Sequence, residues 1–313
     1  KELKEDSLKN MKNKPLITIG ITAFKVSKYL EEAINSVLKQ STEDWLGVLI
    51  LDGENDKETI EIFENFNHLK FKKYSFSKNL GPTVTRNKAI ELCDTEWYYQ
   101  LDGDDILPYD AISLINKAID ENPDSRFIYG NTECFSRKHS FIKKPSINKE
   151  DLCFGPLFNG ASPLNKSLLN SLGGFDTNLF IYEDWDLWLS IFEKRIKGTQ
   201  INSVIYKRRN RHNNVGNKKS YLGPDAIDLI ISKHPIYFNN SIRRKSAKHN
   251  VYEKLSRYYK SLGNRNLALK WANMALENGK ITPGLETVLY ESKMSFLRYK
   301  LRRFFRYIDS YKK

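Results

Sequence analysis

At 313 residues the chain is long enough for one large domain or two smaller ones, with a sizeable buried core. A hydrophobic content of 40% with 12% aromatic residues excludes a disordered chain, and no apolar run reaches the roughly 18 residues of a membrane-spanning helix. The formal charge of +13 favours anionic partners, while Cys93, Cys134 and Cys153, widely spaced and without a CxxC pair, argue against zinc and a disulfide framework and fit a reducing cytoplasm.

Residues 1–14 are charged, lack the apolar centre of a signal peptide, and are expected to form a solvated leader. The β-branched run Leu16–Thr22 predicts a first strand. Tyr29, Leu30, Ala33, Ile34, Val37 and Leu38 then recur at helical spacing, which predicts a helix over 28–40. Val48–Leu51 has the continuous apolar character of a buried parallel strand and ends in the polar turn Asp52–Asp56. A helix over 57–65, a strand over 71–76 and a helix over 83–92 follow, the last introduced by Gly81-Pro82.

The next strand delivers Asp102, Asp104 and Asp105 onto a tight turn at Gly103. Crowded carboxylates repel one another, and a divalent cation relieves that repulsion. Oxygen ligands on a short loop suit Mg²⁺ or Mn²⁺, which also grip phosphate. Two readings follow from this stretch alone: a metal–diphosphate site, or a solvated acidic turn. Strands alternating with helices predict an α/β fold with a doubly wound, mostly parallel sheet, in which ligands bind beyond the carboxyl ends of the strands. Asp52 and the Asp102–Asp105 cluster both fall on that rim. Neither GxGxxG nor GxxxxGK[ST] is present, which disfavours a dinucleotide oxidoreductase and a P-loop NTPase.

Further on, a helix over 110–121 and a strand over 127–129 precede a basic, irregular stretch to residue 151. Leu187, Leu189, Ile191 and Phe192 predict a buried helix with Glu183 and Asp184 near its start. There negative charge also complements the helix dipole. Residues 198–207 have strand character. Gly223-Pro224 reads as a boundary, giving 1–14 as leader, 15–222 as catalytic domain and 223–313 as a helical region. In that region Tyr252, Leu255, Ala268, Trp271, Ala272 and Ala275 resemble one tetratricopeptide-like hairpin, which packs on the catalytic domain or another subunit because one unit makes no solenoid. The last predicted helix, 284–311, carries Leu297, Leu301, Phe304, Phe305 and Ile308 beside Arg298, Arg302, Arg303 and Arg306. Two readings stay open for it: an anionic membrane surface, or packing and homo-oligomerisation.

Several separated segments match one pattern. Ile21–Phe24, Tyr29–Gln40, Val48–Asp56, Asn79–Asn87, Leu101–Asp105, Gly173–Asp176 and Glu183–Leu189 stand in the order and spacing of the family 2 glycosyltransferases. The chain resembles that family over about residues 15–215. The resemblance implies a GT-A fold and a hexosyltransferase-type enzyme with a nucleotide-sugar donor, UDP by preference, and Mn²⁺ or Mg²⁺ as cofactor. It implies that Thr22, Phe24, Asp52, Arg86 and Asp102 hold the nucleotide, and that Asp104 binds the metal with Asp105 in support. By the same resemblance His212 is a metal or phosphate ligand, and Asp184 is the general base of a single, inverting displacement. Gly160, Ala161, Glu183 and Trp185 would line the donor and acceptor pocket. The acceptor would be a glycan, a lipid-linked saccharide or a cell-envelope polymer, and the enzyme cytoplasmic, peripheral on the inner membrane face only if the membrane reading of its last helix holds. Leu51 stands where the family often has a second acidic residue, and Thr22 and Lys25 where it often has Pro and Asn. Two alternatives have other signatures. A sugar-1-phosphate nucleotidyltransferase needs a Gly-rich, Arg-containing loop that is missing here. A basic membrane- or partner-binding adaptor would not need Asp102, Asp104 and Asp184 intact. Trp97, Tyr98 and Tyr99 are read as a buried strand rather than a stacking surface, so nucleic acid is not an expected partner.

Overall fold

The computed structural model describes residues 16–53, 56–136, 140–142, 161–210 and 219–293. They fall into two compact units, the first within 16–210 and the second within 219–293. The first unit runs β1 (Ile17–Ala23), α1 (Ser27–Leu38), β2 (Trp45–Leu51), α2 (Lys57–Asn65), β3 (Phe71–Ser75), α3 (Pro82–Glu91), β4 (Trp97–Asp102) and α4 (Ala111–Glu121). It continues with β5 (Phe127–Ser136), β6 (Ser140–Ile142), β7 (Leu164–Asn165), α5 (Lys166–Leu172), α6 (Glu183–Glu193) and β8 (Gly198–Asn210).

The eight strands form one sheet in the order β3-β2-β1-β4-β7-β5-β6, with β8 on β5. The β3-β2-β1-β4 block is parallel throughout, β7 is antiparallel to β4 and β5, and β8 runs parallel to β5. Strand order reverses outward from β1, so the carboxyl ends of β1, β2 and β4 share one rim, the ligand-binding position of such sheets. The carboxyl end of β8 reaches the same rim, because two antiparallel pairings restore the direction of β4. Ile17, Ile19, Ile21, Leu49, Tyr99 and Leu101 are almost wholly buried in the core, as expected of strands covered on both faces. Trp97, Tyr98 and Tyr99 are at most 3% exposed, so they serve the core rather than a stacking surface.

Local sequence explains most of these elements. α1 buries Leu30, Ala33, Ile34 and Val37 on one face, and Asp56 caps α2 by accepting from the Thr59 N–H at 2.9 Å. Two departures from expectation have physical reasons. β5 continues to Ser136 and pairs with β6, although the polar residues Asn131, Thr132 and Glu133 give the segment an irregular look in sequence. Pairing to β8 and β6 supplies what the side-chain pattern does not. Gly103 has a negative φ; its need for glycine lies in close approach, since a Cβ there would stand 2.8 Å from the Thr22 carbonyl oxygen.

The second unit is helical: a short 3₁₀ turn (Ser220–Leu222), then α7 (Gly223–Lys233), α8 (Ser241–Ser261), α9 (Arg265–Asn278) and α10 (Pro283–Lys293). Gly223-Pro224, read from the sequence as a break, opens α7, where proline in the first turn forgoes an N–H the helix does not use. Asn240 and Asn264 cap α8 and α9, which bury Ala247, Val251 and Leu255 and Ala268, Ala272 and Ala275. The leader and the basic residues Arg298–Arg306 lie outside the described residues. Among the described residues no helix is long and apolar enough to cross a membrane.

The loop after β4 is tied back to α1 by Gln40. Its amide donates to the carbonyls of Ser36 (2.9 Å) and Pro108 (2.7 Å) and accepts from the Ile112 N–H at 3.0 Å. Gln40→Leu leaves those buried groups unsatisfied and should lower unfolding stability by about 2–3 kcal/mol in urea titration.

Candidate active site

The rim is organised around helix α3. Thr83 donates its hydroxyl to the Leu179 carbonyl at 3.0 Å. Asn87 clasps Phe175 through both backbone groups, donating to its carbonyl and accepting from its N–H at 2.8 Å each. That clasp explains Gly174, whose φ of 74° suits glycine and whose missing Cβ leaves room for the Asn87 amide. Between these contacts Arg86, its side chain 11% exposed, bridges two carboxylates: Asp102 at 3.1 Å and Glu183 at 2.5 Å. Asp102 ends β4 and Glu183 opens α6, so one guanidinium joins the acidic loop to the helix carrying Asp184. Burial disfavours the Arg86 charge, but Asp102, Glu183 and the nearby Asp184 more than offset this and hold it protonated.

Asp102 keeps 38% of its side chain exposed. Burial pushes its pKa up, but the Arg86 charge, donors from Arg86 and Gln100, and the charge of Arg208 outweigh it, leaving the carboxyl below the usual range. Gln100 also donates to the Thr22 hydroxyl at 3.1 Å, linking the first-strand loop to the acidic loop. Thr22 and Phe24 are half-buried at the end of β1, beside exposed Lys25, whose ammonium lies 5.2 Å from the Phe24 ring centroid.

Asp52 directly follows β2 at the rim. It is 4% exposed and accepts from the Asn79 amide (2.8 Å) and the N–H groups of Leu80 (2.8 Å) and Gly81 (3.0 Å). Its carboxylate folds the loop entering α3 and fixes where that helix begins.

Asp105 is 5% exposed and spans to β8, accepting the Tyr206 hydroxyl and the Arg209 N–H at 2.7 Å each. Burial and the charges of Asp102 and Asp104 push its pKa up to about 7 against the pull of those two donors. Arg209 completes the strut, donating to the Asp104 carbonyl (2.8 Å), pairing with Glu32 (2.5 Å) and packing against the rings of Tyr29 and Phe135. Tyr206 and Arg209 carry no motif-like spacing to the acidic loop. Only the β8 pairing, with Ile106 bridged to Lys207, brings them there.

Asp184 is half-buried in the first turn of α6, and its carboxylate accepts from the Trp185 N–H at 2.9 Å. Tyr182, just before it, holds a left-handed φ of 64°, a costly conformation for a bulky residue and one that recurs at functional sites. Glu183 faces Arg86, while Trp185 (1% exposed) and Ala161 (8%) are buried. Gly160 and His212 lie outside the described residues.

Among the described residues no group of three or more His, Cys, Asp or Glu side chains is arranged to hold a metal ion alone. Burial drives Asp105 toward protonation, and the charges of Asp102 and Asp104, which add to it, mark a place where added positive charge is favoured. Every acidic donor in the loop is a hard oxygen, and the arrangement fits Mg²⁺ or Mn²⁺ held by one or two carboxylates together with substrate phosphates.

The comparisons with known proteins decide the family. Residues 18–174 match the family model described as glycosyl transferase family 2. The chain belongs to that family. It is therefore a glycosyltransferase, and its parallel sheet with flanking helices is a GT-A fold. An uncharacterised glycosyltransferase of Methanocaldococcus jannaschii is 27% identical over 259 residues, covering 77% of this chain and 84% of that protein. A chondroitin synthase of Escherichia coli is 26% identical over 252 residues; the match covers 79% of this chain but spans only 35% of the synthase. Among solved structures, TarS residues 1–349 of S. aureus in complex with UDP-GlcNAc superposes with a TM-score of 0.60 at 14% identity, covering 88% of this chain and 84% of that one. The mannosyltransferase PcManGT of Pyrobaculum calidifontis, in complex with GDP-Man and Mn²⁺, gives 0.50 at 15% identity, covering 92% and 84%.

Two expectations follow from the site. Asp52→Ala strips an acceptor from two backbone amides and should lower stability by about 2–4 kcal/mol in denaturant titration. Asp105 has a native pKa raised to about 7 from an ordinary 3.8, so the native state holds a proton that the unfolded chain has released. The stability it contributes is complete below about pH 4 and is lost as pH rises toward and through 7. In EDTA the urea midpoint should fall between pH 5 and pH 8, and Asp105→Asn should flatten that fall.

Proposed function

We propose that this enzyme transfers a hexosyl group from a nucleotide-sugar, a UDP-sugar by preference, to a hydroxyl of a glycan or lipid-linked saccharide, with inversion at the anomeric carbon. The observation that carries this reading is the Arg86 bridge, which sets a carboxylate-rich loop and the Asp184 turn side by side on one sheet rim. In this reading Thr22 and Phe24 meet the base and Asp102, with one side exposed, meets the ribose. Asp104 would hold Mn²⁺ or Mg²⁺ together with the donor diphosphate, with Asp105 fixing the loop. When bound, the cation supplies charge compensation for the departing nucleoside diphosphate.

Asp184 acts on the acceptor. Its carboxylate takes the acceptor hydroxyl proton as that oxygen forms its bond to the sugar C1. The bond from C1 to the diphosphate oxygen breaks at the same time, and its electron pair leaves on the β-phosphate. One displacement needs no enzyme nucleophile, so the anomeric configuration inverts. Arg86 serves as the brace that keeps donor and base loops in register.

Mn²⁺ bound to PcManGT supports the metal assignment, and UDP-GlcNAc bound to TarS supports the donor class. The buried, unpaired thiols Cys93 and Cys134 support a reducing, cytoplasmic setting. Peripheral membrane attachment rests on the basic residues after 294.

Asp184→Asn should lower transfer by about 10²–10⁴-fold while leaving the Kd for the nucleotide-sugar within a factor of two or three. Retained turnover would remove Asp184 from the role of base. EDTA, or Asp104→Ala, should abolish transfer, with Mn²⁺ restoring only the wild type.

A further inference from the structure

Strand β4 sends every second side chain to one face, and on that face Tyr98, Gln100 and Asp102 stand in line toward the rim. The strand pairs with β1 in parallel register, which sets Gln100 against Gly20 and Asp102 against Thr22. Gly20 makes the line possible, because a Cβ there would collide with the ring and hydroxyl of Tyr98. Gln100 is 1% exposed, a polar side chain enclosed one step below the rim.

Its hydrogen bonds have a forced direction. The amide nitrogen faces the Thr22 hydroxyl (3.1 Å), the Leu101 carbonyl (3.1 Å) and Asp102 Oδ1 (3.2 Å). A carbonyl and a carboxylate only accept, so the NH₂ group must lie on that side. The amide oxygen is therefore turned to Tyr98, whose hydroxyl donates to it at 2.5 Å. Two consequences reach the rim. Asp102 Oδ1 is taken by Gln100 and by Arg86 at 3.1 Å, while Oδ2 has one longer contact with Arg86, at 3.4 Å. The Thr22 oxygen, accepting from Gln100, keeps its own proton to donate, and Thr22 is half-buried at the end of β1. One enclosed amide thus leaves an acceptor and a donor side by side, the complement of sugar hydroxyls, which both donate and accept. A proline in place of Thr22 would supply no such donor.

We propose that Gln100 is a positioning residue for nucleoside recognition: pinned by Tyr98, it presents Asp102 Oδ2 and the Thr22 hydroxyl to the donor and sets a preference for ribonucleotides. This rests on the donor reading above and names what makes that site selective.

The test is calorimetry in Mn²⁺ buffer on wild type, Gln100→Met and Tyr98→Phe, comparing UDP with 2′,3′-dideoxy-UDP and GDP with 2′,3′-dideoxy-GDP. Wild type should prefer the favoured ribonucleotide over its dideoxy analogue by about 10- to 100-fold. Gln100→Met, similar in volume but without the amide, should weaken the ribonucleotide by about 10-fold and leave the analogue within a factor of two. Tyr98→Phe, which frees the amide but keeps Gln100, should weaken the ribonucleotide alone by about threefold. Undiminished discrimination in Gln100→Met, or in Tyr98→Phe should the first variant not fold, overturns the inference. An equal loss for both ligands also overturns it, since that would make Gln100 structural. Wild type that binds a ribonucleotide and its analogue equally overturns it while the diphosphate donor stands. Wild type that binds neither UDP nor GDP overturns the donor reading itself, and this inference with it.

Discussion

A single buried guanidinium holds the two halves of the rim together. Arg86 spends its charge on Asp102 at the end of β4 and on Glu183 at the start of α6, two residues that the sheet alone would leave unlinked. Asymmetry makes such a bridge matter: with the arginine present each buried charge is compensated, and with it removed two carboxylates face each other without a cation. Everything that positions α3 therefore also positions the site. Asp52 fixes the loop before the helix, Thr83 ties it to Leu179, and Asn87 clasps Phe175.

A second frame supports the acidic loop from the opposite side. Tyr206 and Arg209, both on β8, hold Asp105 and the Asp104 backbone, while Glu32, Tyr29 and Phe135 hold Arg209. The loop is thus clamped between α3 and β8, and its carboxylates are brought closer than their charges favour. Burial first, and then the charges of Asp102 and Asp104, raise the Asp105 pKa, and in the proposed reading a divalent cation with a diphosphate offsets those charges. Preorganised charge of this kind acts at the transition state without having to rearrange.

Much of this was legible in the sequence. The parallel β-strands β1, β2 and β4 were marked by continuous apolar runs, and α1 and α2 by helical periodicity, because those signals are local. The acidic turn and the Glu183-Asp184 helix start were likewise read as short motifs. What could not be read was pairing across distance. Asp52 accepts hydrogen bonds from Asn79, Leu80 and Gly81, 27 to 29 residues on. Tyr206 and Arg209 reach Asp105 across 101 and 104 residues, and Asn87 reaches Phe175 across 88. Trp185 sits beside Asp184 in sequence but points into the core, since neighbours on a helix face different ways. The fold decided which distant residues met.

The most direct test of the account is nucleotide release from a panel of UDP-, GDP- and dTDP-sugars in Mn²⁺, Mg²⁺ or EDTA, with no acceptor added. A clamped metal–diphosphate site beside a general base predicts slow hydrolysis of one donor, present with a divalent cation and absent in EDTA. Release that persists undiminished in EDTA, or silence across the whole panel, would contradict it.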